Sequence, residues 1–86
     1  MQIIFGEKAW SEYLYWQCND KRIIRKINAL LKDIARHPHT GLGKPEMLKH
    51  DLAGIWSRRM DHEHRLVYRV EDEKLNIYSC RFHYDR

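Results

Sequence analysis

The sequence contains little cysteine and no cysteine motif. Only Cys18 and Cys80 occur among the 86 residues, and they form no C-x-x-C pair. A small secreted domain that depends on disulfides carries a denser set of cysteines, so a disulfide framework is excluded. We expect both residues to be reduced thiols in the core.

Long apolar runs are also absent. The N-terminus, Met1 to Phe5, lacks a basic region followed by an extended hydrophobic stretch. No later segment provides the roughly 20 apolar residues of a membrane-spanning helix. We therefore expect a cytoplasmic protein that does not enter a membrane.

No repeat, low-complexity segment or linker divides the chain, so residues 1–86 are predicted to form one domain. A domain of this length buries only about 60–65% of its unfolded surface, which favours stabilisation by a second copy or a bound protein. Sixteen Lys and Arg residues against twelve Asp and Glu give a formal net charge of +4. This excess indicates a polyanionic partner, but charge alone does not distinguish RNA, DNA and an acidic protein.

Two helices are predicted in the first half of the chain. A short apolar run, Gln2 to Phe5, predicts an opening strand, and helical spacing of aromatic residues follows from Glu7 to about Gln17. Asn19-Asp20 then supplies a helix stop and an N-cap. The second helix ends at His37-Pro38. Its apolar stripe consists of Ile23, Ile24, Ile27, Leu30, Leu31 and Ile34.

The apolar spacing becomes alternating after a loop with two glycines and a proline, His39 to Pro45. Strands are predicted at Ile55 to Met60, His64 to Val70 and Leu75 to about His83, with polar turns between them. The order is β-α-α-β-β-β. Because these strands follow the helices as a group, we predict an α+β fold in which two helices pack on a small, mostly antiparallel sheet.

Alternation along the strands separates their side chains into two faces. The positions predicted to form a core under the helices are Leu66, Tyr68, Cys80 and Phe82, and Tyr78 shares the face of Cys80. The opposite face is predicted to gather Arg59, Arg65, Arg81 and His83.

A face with arginines, a histidine and a nearby carboxylate has the groups needed to cleave RNA without a metal. A base removes the proton of the 2′-OH, a guanidinium stabilises the charge at phosphorus, and an acid protonates the departing 5′-oxygen. Histidine suits the acid, since its reference pKa of about 6.5 rises beside an anion. Glu46, in the loop before the strands, is the favoured base, but composition and spacing do not separate it from Asp61 or Glu63.

The stretch GLGKPEMLKHDLAGIWSRRMDHEHRLVYRV, the ending CRFHY and the early AWSEYLYWQ resemble the YoeB/Txe-type toxins of the RelE-like superfamily over nearly the whole chain. The resemblance implies a small α+β domain that acts as a ribosome-dependent mRNA interferase and cuts the message in the A site. It also implies a YefM/Phd-type antitoxin, a homodimer, and contact with operator DNA only through the antitoxin complex.

The resemblance assigns roles to single residues. Glu46 corresponds to the general base and Arg65 to the arginine that stabilises the transition state. His83 corresponds to the general acid, and Tyr84 to the aromatic residue that orients or stacks on the substrate. The predicted RNA-binding residues are Lys44, Lys49, Arg59 and Arg81. The chain departs from the family pattern where it adds Asp85-Arg86 after the tyrosine.

Alternatives to this function remain open. A scaffold of this kind without the chemistry would be a ParE-like inhibitor of DNA gyrase or a basic nucleic-acid-binding module, and neither needs an acid and a base around an arginine. The HPH and DHEH stretches suggest metal ligands, but their spacing matches no recognised site, and we expect neither metal nor cofactor. The basic face of the second helix is either solvated or in contact with ribosomal RNA.

Overall fold

The computed structural model describes residues 1–82. Its elements in chain order are β1 (Gln2–Phe5), α1 (Glu7–Asn19), α2 (Lys21–Arg36), β2 (Glu46–Met47), a 3-10 turn (His50–Leu52), β3 (Trp56–Arg59), β4 (Arg65–Glu71) and β5 (Lys74–Ser79). The predicted fold, two helices on a mostly antiparallel sheet, is confirmed. Within residues 1–82, neither helix has the length and apolar character needed to span a membrane.

Asp20 separates the two helices and serves both of them. Its N–H donates to the carbonyl of Trp16 at 2.8 Å and ends α1. Its carboxylate accepts from the N–H groups of Arg22 at 3.0 Å and Ile23 at 3.4 Å, and so caps α2. The predicted stripe of α2 is buried at Ile23, Ile27, Leu30, Leu31 and Ile34. The helix ends at Arg36, since Pro38 disfavours helical backbone in the residue before it.

The five strands lie in the order β1-β5-β4-β3-β2, with β1 parallel to β5 and every other pair antiparallel. The helices cover one face of the sheet, where residues of β4 and β5 join those of both helices in the core. The prediction of a loop at Glu46 is wrong. Glu46 and Met47 form β2, paired with Ser57 and Trp56 of β3, so Glu46 lies at the edge of the sheet.

A β-bulge in β5 changes which of its side chains face the helices. Val67 pairs with Ser79, but the next residue, Tyr68, pairs with Ile77, which makes Tyr78 an extra residue in β5. Ile77 is therefore buried under the helices, whereas Tyr78 is exposed. The predicted placement of Tyr78 on the core face is wrong, because simple alternation does not account for a bulge.

The last strand is shorter than predicted, since β5 ends at Ser79 and does not continue to His83. Cys80 is buried as expected, but Cys18 is exposed, so the prediction of two core thiols holds for one of them. Phe82 is 51% exposed and has a left-handed φ of 65°. Its predicted place in the core is wrong because alternation stops where the strand stops. His83 lies outside the described residues.

A buried arginine fastens the loop after α2 to the sheet. Arg58 of β3 faces the helices, and its guanidinium donates to the carboxylate of Asp33 at 2.6 Å and the hydroxyl of Tyr68 at 3.0 Å. It also donates to three carbonyls in the loop of residues 37–42. The hydrogen bond from Arg58, followed by that from the N–H of Leu42, holds the pKa of Asp33 below its usual value. This network holds the start of the loop beside β3.

Candidate functional site

The face of the sheet opposite the helices brings Glu46 together with two of the predicted arginines. Glu46 of β2 lies opposite Ser57 of β3, which lies opposite Val67 of β4. Two residues further along β3, Arg59 lies opposite Arg65 of β4. Directly opposite residues share a face, as do residues two apart on one strand. Glu46, Arg59 and Arg65 therefore project from one face across three adjacent strands.

Arg59 and Arg65 place two positive charges side by side, an arrangement that destabilises a sheet unless something compensates it. Neither arginine forms an ion pair with a carboxylate within residues 1–82. The Arg65 guanidinium instead donates to the carbonyls of Asp61 at 3.3 Å and His64 at 3.4 Å, which holds it at the start of β4. Two guanidinium groups to which the described residues supply no counter-ion are suited to bind an anionic group such as a phosphate.

The two predicted lysines flank β2 in the chain. Lys44 is exposed and follows Gly43, whose carbonyl accepts the N–H of Arg59 at 2.7 Å. Gly43 has a φ of 80°, and a Cβ there would lie 2.9 Å from the carbonyl oxygen of Arg59, so this close approach requires glycine. Lys44 is therefore placed beside Arg59. Lys49 is exposed in the connection from β2 to β3.

Arg81 does not join the arginines of the open face. Its guanidinium carbon lies 3.6 Å from the ring centre of Tyr15 and 5.9 Å from that of Trp16, both in α1. The ring centre of the next residue, Phe82, lies 4.6 Å from the same guanidinium carbon. The predicted placement of Arg81 on the open face is therefore wrong, because β5 ends before it and the side chain packs on aromatic rings beside α1. Its role in RNA binding stays a prediction.

A histidine without a predicted role holds the segment after β5. His64 is buried, and its Nδ1 accepts the N–H of Phe82 at 2.7 Å. The N–H of Arg65 donates to the carbonyl of Phe82 at 3.0 Å, so both backbone polar groups of Phe82 are bonded at the start of β4. The sequence did carry a signal for this role. His64 is two residues before Leu66 and shares its strand face, where a histidine is more often a hydrogen-bonded core residue than a ligand.

The turn that carries His64 is itself held by Asp61. Its Oδ1 accepts from the N–H groups of Glu63 at 2.8 Å and His64 at 2.7 Å. Burial opposes ionisation of Asp61, but these two hydrogen bonds outweigh it, so the pKa of Asp61 lies below its usual value. The Asp61 carboxylate is occupied in the turn, which disfavours it as the base and leaves Glu46 and Glu63.

The end of β5 is fastened to α1. The N–H of Cys80 donates to the carboxylate of Glu12 at 2.8 Å, and the carbonyl of Cys80 accepts the indole N–H of Trp16 at 2.7 Å. Burial, and to a lesser extent the nearby Glu12, raises the pKa of the Cys80 thiol to about 12. Cys80 is thus a structural thiol and not a nucleophile at neutral pH.

The predicted acid His83, the predicted aromatic Tyr84 and the extension Asp85-Arg86 lie outside the described residues. Phe82 directly precedes His83 in the chain, so the contacts of Phe82 are the last described anchor before the predicted catalytic residues. In the part of the chain up to Phe82, no three His, Cys, Asp or Glu side chains are placed together as a metal site.

Comparison with known proteins gives matches over nearly the full length. The family model for the YoeB-like toxin of bacterial type II toxin-antitoxin systems matches residues 5–84. Toxin YoeB of Escherichia coli (strain K12) is 58% identical over 84 residues, which are 98% of this chain and 100% of that protein. The solved structure of the YoeB/ParE toxin from Agrobacterium tumefaciens superposes with a TM-score of 0.95 at 48% identity, over 98% of this chain and 100% of that one.

A second solved structure adds a complex. The matching chain in the heterotetrameric YoeB-YefM toxin-antitoxin complex from Staphylococcus aureus has a TM-score of 0.90 and 50% identity, over 98% of both chains. These matches extend over every element that positions Glu46, Arg59 and Arg65, so the similarity is not confined to one motif. The chain belongs to the YoeB-like toxins of bacterial type II toxin-antitoxin systems.

Proposed function

We propose that the chain is an endoribonuclease toxin that inhibits translation by cleaving mRNA in the ribosomal A site. The observation that carries this proposal is the placement of Glu46 on the same sheet face as Arg59 and Arg65, two arginines without a carboxylate partner in residues 1–82. A carboxylate beside an anion-binding pair combines a base with stabilisation of a phosphate transition state. A binding module or gyrase inhibitor has no need of that combination.

The reaction follows from the roles of four residues. Glu46 takes the proton of a ribose 2′-OH as the 2′-oxygen forms a bond to the adjacent phosphorus. Arg65 stabilises the negative charge that develops on the phosphoryl oxygens. His83 donates a proton to the 5′-oxygen as the P–O5′ bond breaks, which leaves a 2′,3′-cyclic phosphate and a 5′-hydroxyl. Tyr84 stacks on or orients a neighbouring base.

The same basic face is the proposed target of an antitoxin. The Staphylococcus aureus relative is found in a heterotetramer with YefM, and a YoeB dimer from the same organism matches this chain with a TM-score of 0.92 at 50% identity. We extend both properties to this chain. An acidic antitoxin segment that folds along Arg59 and Arg65 would neutralise their charges and cover the site, which accounts for inhibition without a change in the toxin fold.

The test is a cleavage assay in the presence of EDTA. It compares naked mRNA with the same mRNA on ribosomes that hold a defined codon in an empty A site, and it maps the ends of the products. We expect cuts within that codon, and a loss of about 100- to 10,000-fold in rate for Glu46→Gln and for His83→Ala.

Glu63→Gln is the matched control, because Glu63 is an exposed carboxylate in the turn between β3 and β4 and the base that remains as an alternative. Full activity of Glu46→Gln with inactive Glu63→Gln would transfer the role of base to Glu63. Inhibition of DNA gyrase by the wild-type chain without any RNA cleavage would replace the endonuclease with the ParE-like alternative.

A further inference from the structure

A basic groove lies next to the candidate cleavage site, where α2, the loop at residues 43–44, the end of β3 and the following turn meet. It encloses about 380 Å³. Its charged and imidazole side chains are Lys26, Lys44, Arg59, Asp61 and His62. Each cation comes from a different element, so the fold converges them on one space. On a solvated basic helix face, by contrast, the cations come from one element and do not surround a common space.

The groove has an excess of positive charge that the described residues do not neutralise. Lys26, Lys44 and Arg59 have no ion pair with any carboxylate in residues 1–82. Asp61 is the only acidic side chain among the described residues of the lining, and its Oδ1 accepts from N–H groups of the turn. Among the described lining residues, three Lys and Arg side chains therefore face one carboxylate. An anion in the groove would relieve the repulsion among these cations.

Lys26 distinguishes this groove from the rest of the basic surface of α2. It lies beside the buried positions Ile23 and Ile27, is itself half-buried and lines the groove. Lys32, on the same helix, lines a different groove of about 570 Å³. There the neighbouring carboxylate of Asp33 is bound to the buried Arg58.

The groove is continuous with the site described above, because Arg59 belongs to both. Arg59 lies directly opposite Arg65 on neighbouring strands, which are about 5 Å apart. An RNA strand whose scissile phosphate is held by Arg65 would therefore carry an adjacent phosphate across Arg59 toward Lys26 and His62. The chemistry that fits the groove is that of the phosphodiester backbone, which Lys, Arg and imidazole N–H groups bind without regard to base.

We propose that Lys26, Lys44, Arg59 and His62 form a phosphate-binding subsite that holds the RNA backbone next to the point of cleavage. The inference rests on the proposed function, since it assumes that RNA is the ligand of the adjoining face. It assigns Lys26 and His62, which belong to no catalytic step, to positioning of the RNA.

The experiment measures binding separately from cleavage. A fluorescent RNA oligonucleotide with 2′-O-methyl groups cannot be cleaved by attack of its 2′-oxygen, so its anisotropy reports affinity alone. We expect Lys26→Gln to weaken binding several-fold at 0.1 M salt and to reduce the slope of log K against log salt by about 0.7. His62→Gln should weaken binding as well, and Lys26→Arg should restore the wild-type slope. Lys32→Gln, the same charge change on the same helix, should leave both quantities unchanged.

Ribosome binding then identifies the source of the phosphate. Weaker binding of Lys26→Gln only to ribosomes that carry 2′-O-methyl mRNA in the A site would assign the subsite to the message. An equal loss with vacant ribosomes would assign it to ribosomal RNA. The subsite would be overturned if Lys26→Gln and Lys32→Gln had the same affinity for the oligonucleotide and for both ribosome samples. If Lys26→Gln weakens RNA binding as expected but the wild-type chain never cleaves RNA, the endonuclease function is refuted and the phosphate-binding subsite is supported.

Discussion

Two adjacent arginines of β3 should respond to mutation in opposite ways. Arg58 faces the helices and is fully buried, whereas Arg59 is exposed on the opposite face. Replacement of Arg58 by Met keeps an apolar stem of similar length but removes all five of its hydrogen bonds, including the ion pair with Asp33 at 2.6 Å. Arg58→Met should therefore destabilise the fold, and Arg59→Met should weaken RNA binding.

The size of the stability loss depends on the groups that lose their partner when Arg58 is replaced. Hydrogen bonds that involve a charged group contribute roughly 1.5–3 kcal/mol each, but the loop carbonyls of residues 37–42 regain water when they are released. Loss of one partner of a buried ion pair costs about 3–5 kcal/mol, which we take as the estimate. At roughly 0.05–0.15 kcal/mol per residue, the whole chain has about 4–13 kcal/mol of stability. Arg58→Met should therefore lower the melting temperature by more than about 12 °C.

Urea unfolding followed by tryptophan fluorescence measures this loss, since Trp16 is buried against the end of β5 and should report unfolding. Arg59→Met is the matched control and should change the free energy of unfolding by no more than about 0.5 kcal/mol. Its affinity for RNA should fall, whereas Arg58→Met, studied at low temperature where it is folded, should retain affinity. A stability loss below about 1 kcal/mol for Arg58→Met, or an equal loss for both variants, would refute the structural role of Arg58.

Three further predictions concern titration, thiol reactivity and the anchor of the terminal segment. The pKa of Asp33 is lowered in the folded state, chiefly by the buried guanidinium, so its stabilising effect is present above its unfolded pKa of about 3.9 and is lost as the pH falls through the folded value. Asp33→Asn should then flatten the decline of the urea midpoint between pH 5 and pH 3, and parallel curves for the two proteins would contradict this. Cys18 is exposed, but the pKa of the buried Cys80 is raised to about 12, so a thiol reagent at pH 8 should modify one cysteine quickly and the other only in denaturant; two fast thiols would disprove the burial. His64→Ala removes the acceptor for the N–H of Phe82 and should lower the maximal cleavage rate on ribosomes more than it lowers ribosome affinity, with partial rescue by His64→Gln; an equal change in rate and affinity would refute a positioning role.

The parts of the fold that the sequence predicted are those set by local pattern. The stripe of α2 follows the helical period, and Asp20 has the side chain that a helix N-cap requires, so both are visible without knowledge of the partner elements. The short strand β2 has no pattern of its own, because two residues form a strand only when β3 lies beside them. Glu46 was therefore predicted in a loop, although the resemblance had already assigned it a role.

The bulge at Tyr78 and the end of β5 at Ser79 account for what was wrong near the end of the chain. A bulge arises from pairing between two strands and leaves no clear mark in the alternation of one of them. The end of β5 is not marked in the pattern either, so alternation continued through residue 83 placed Arg81 with the open-face arginines and Phe82 in the core. The grouping of Arg59 with Arg65 was correct, because β3 and β4 pair without irregularity over four residue pairs.

The proposed acid, His83, directly follows Phe82, the last residue that the structure describes. The segment between the end of β5 and His83 is held by hydrogen bonds from α1 and from His64 and Arg65. Glu12 and Trp16 of α1 bind the backbone of Cys80, and His64 with the N–H of Arg65 binds the backbone of Phe82. The position from which the chain continues to His83 is thus set by two contacts from α1 and by one each from His64 and Arg65, and Arg65 is the arginine of the proposed reaction.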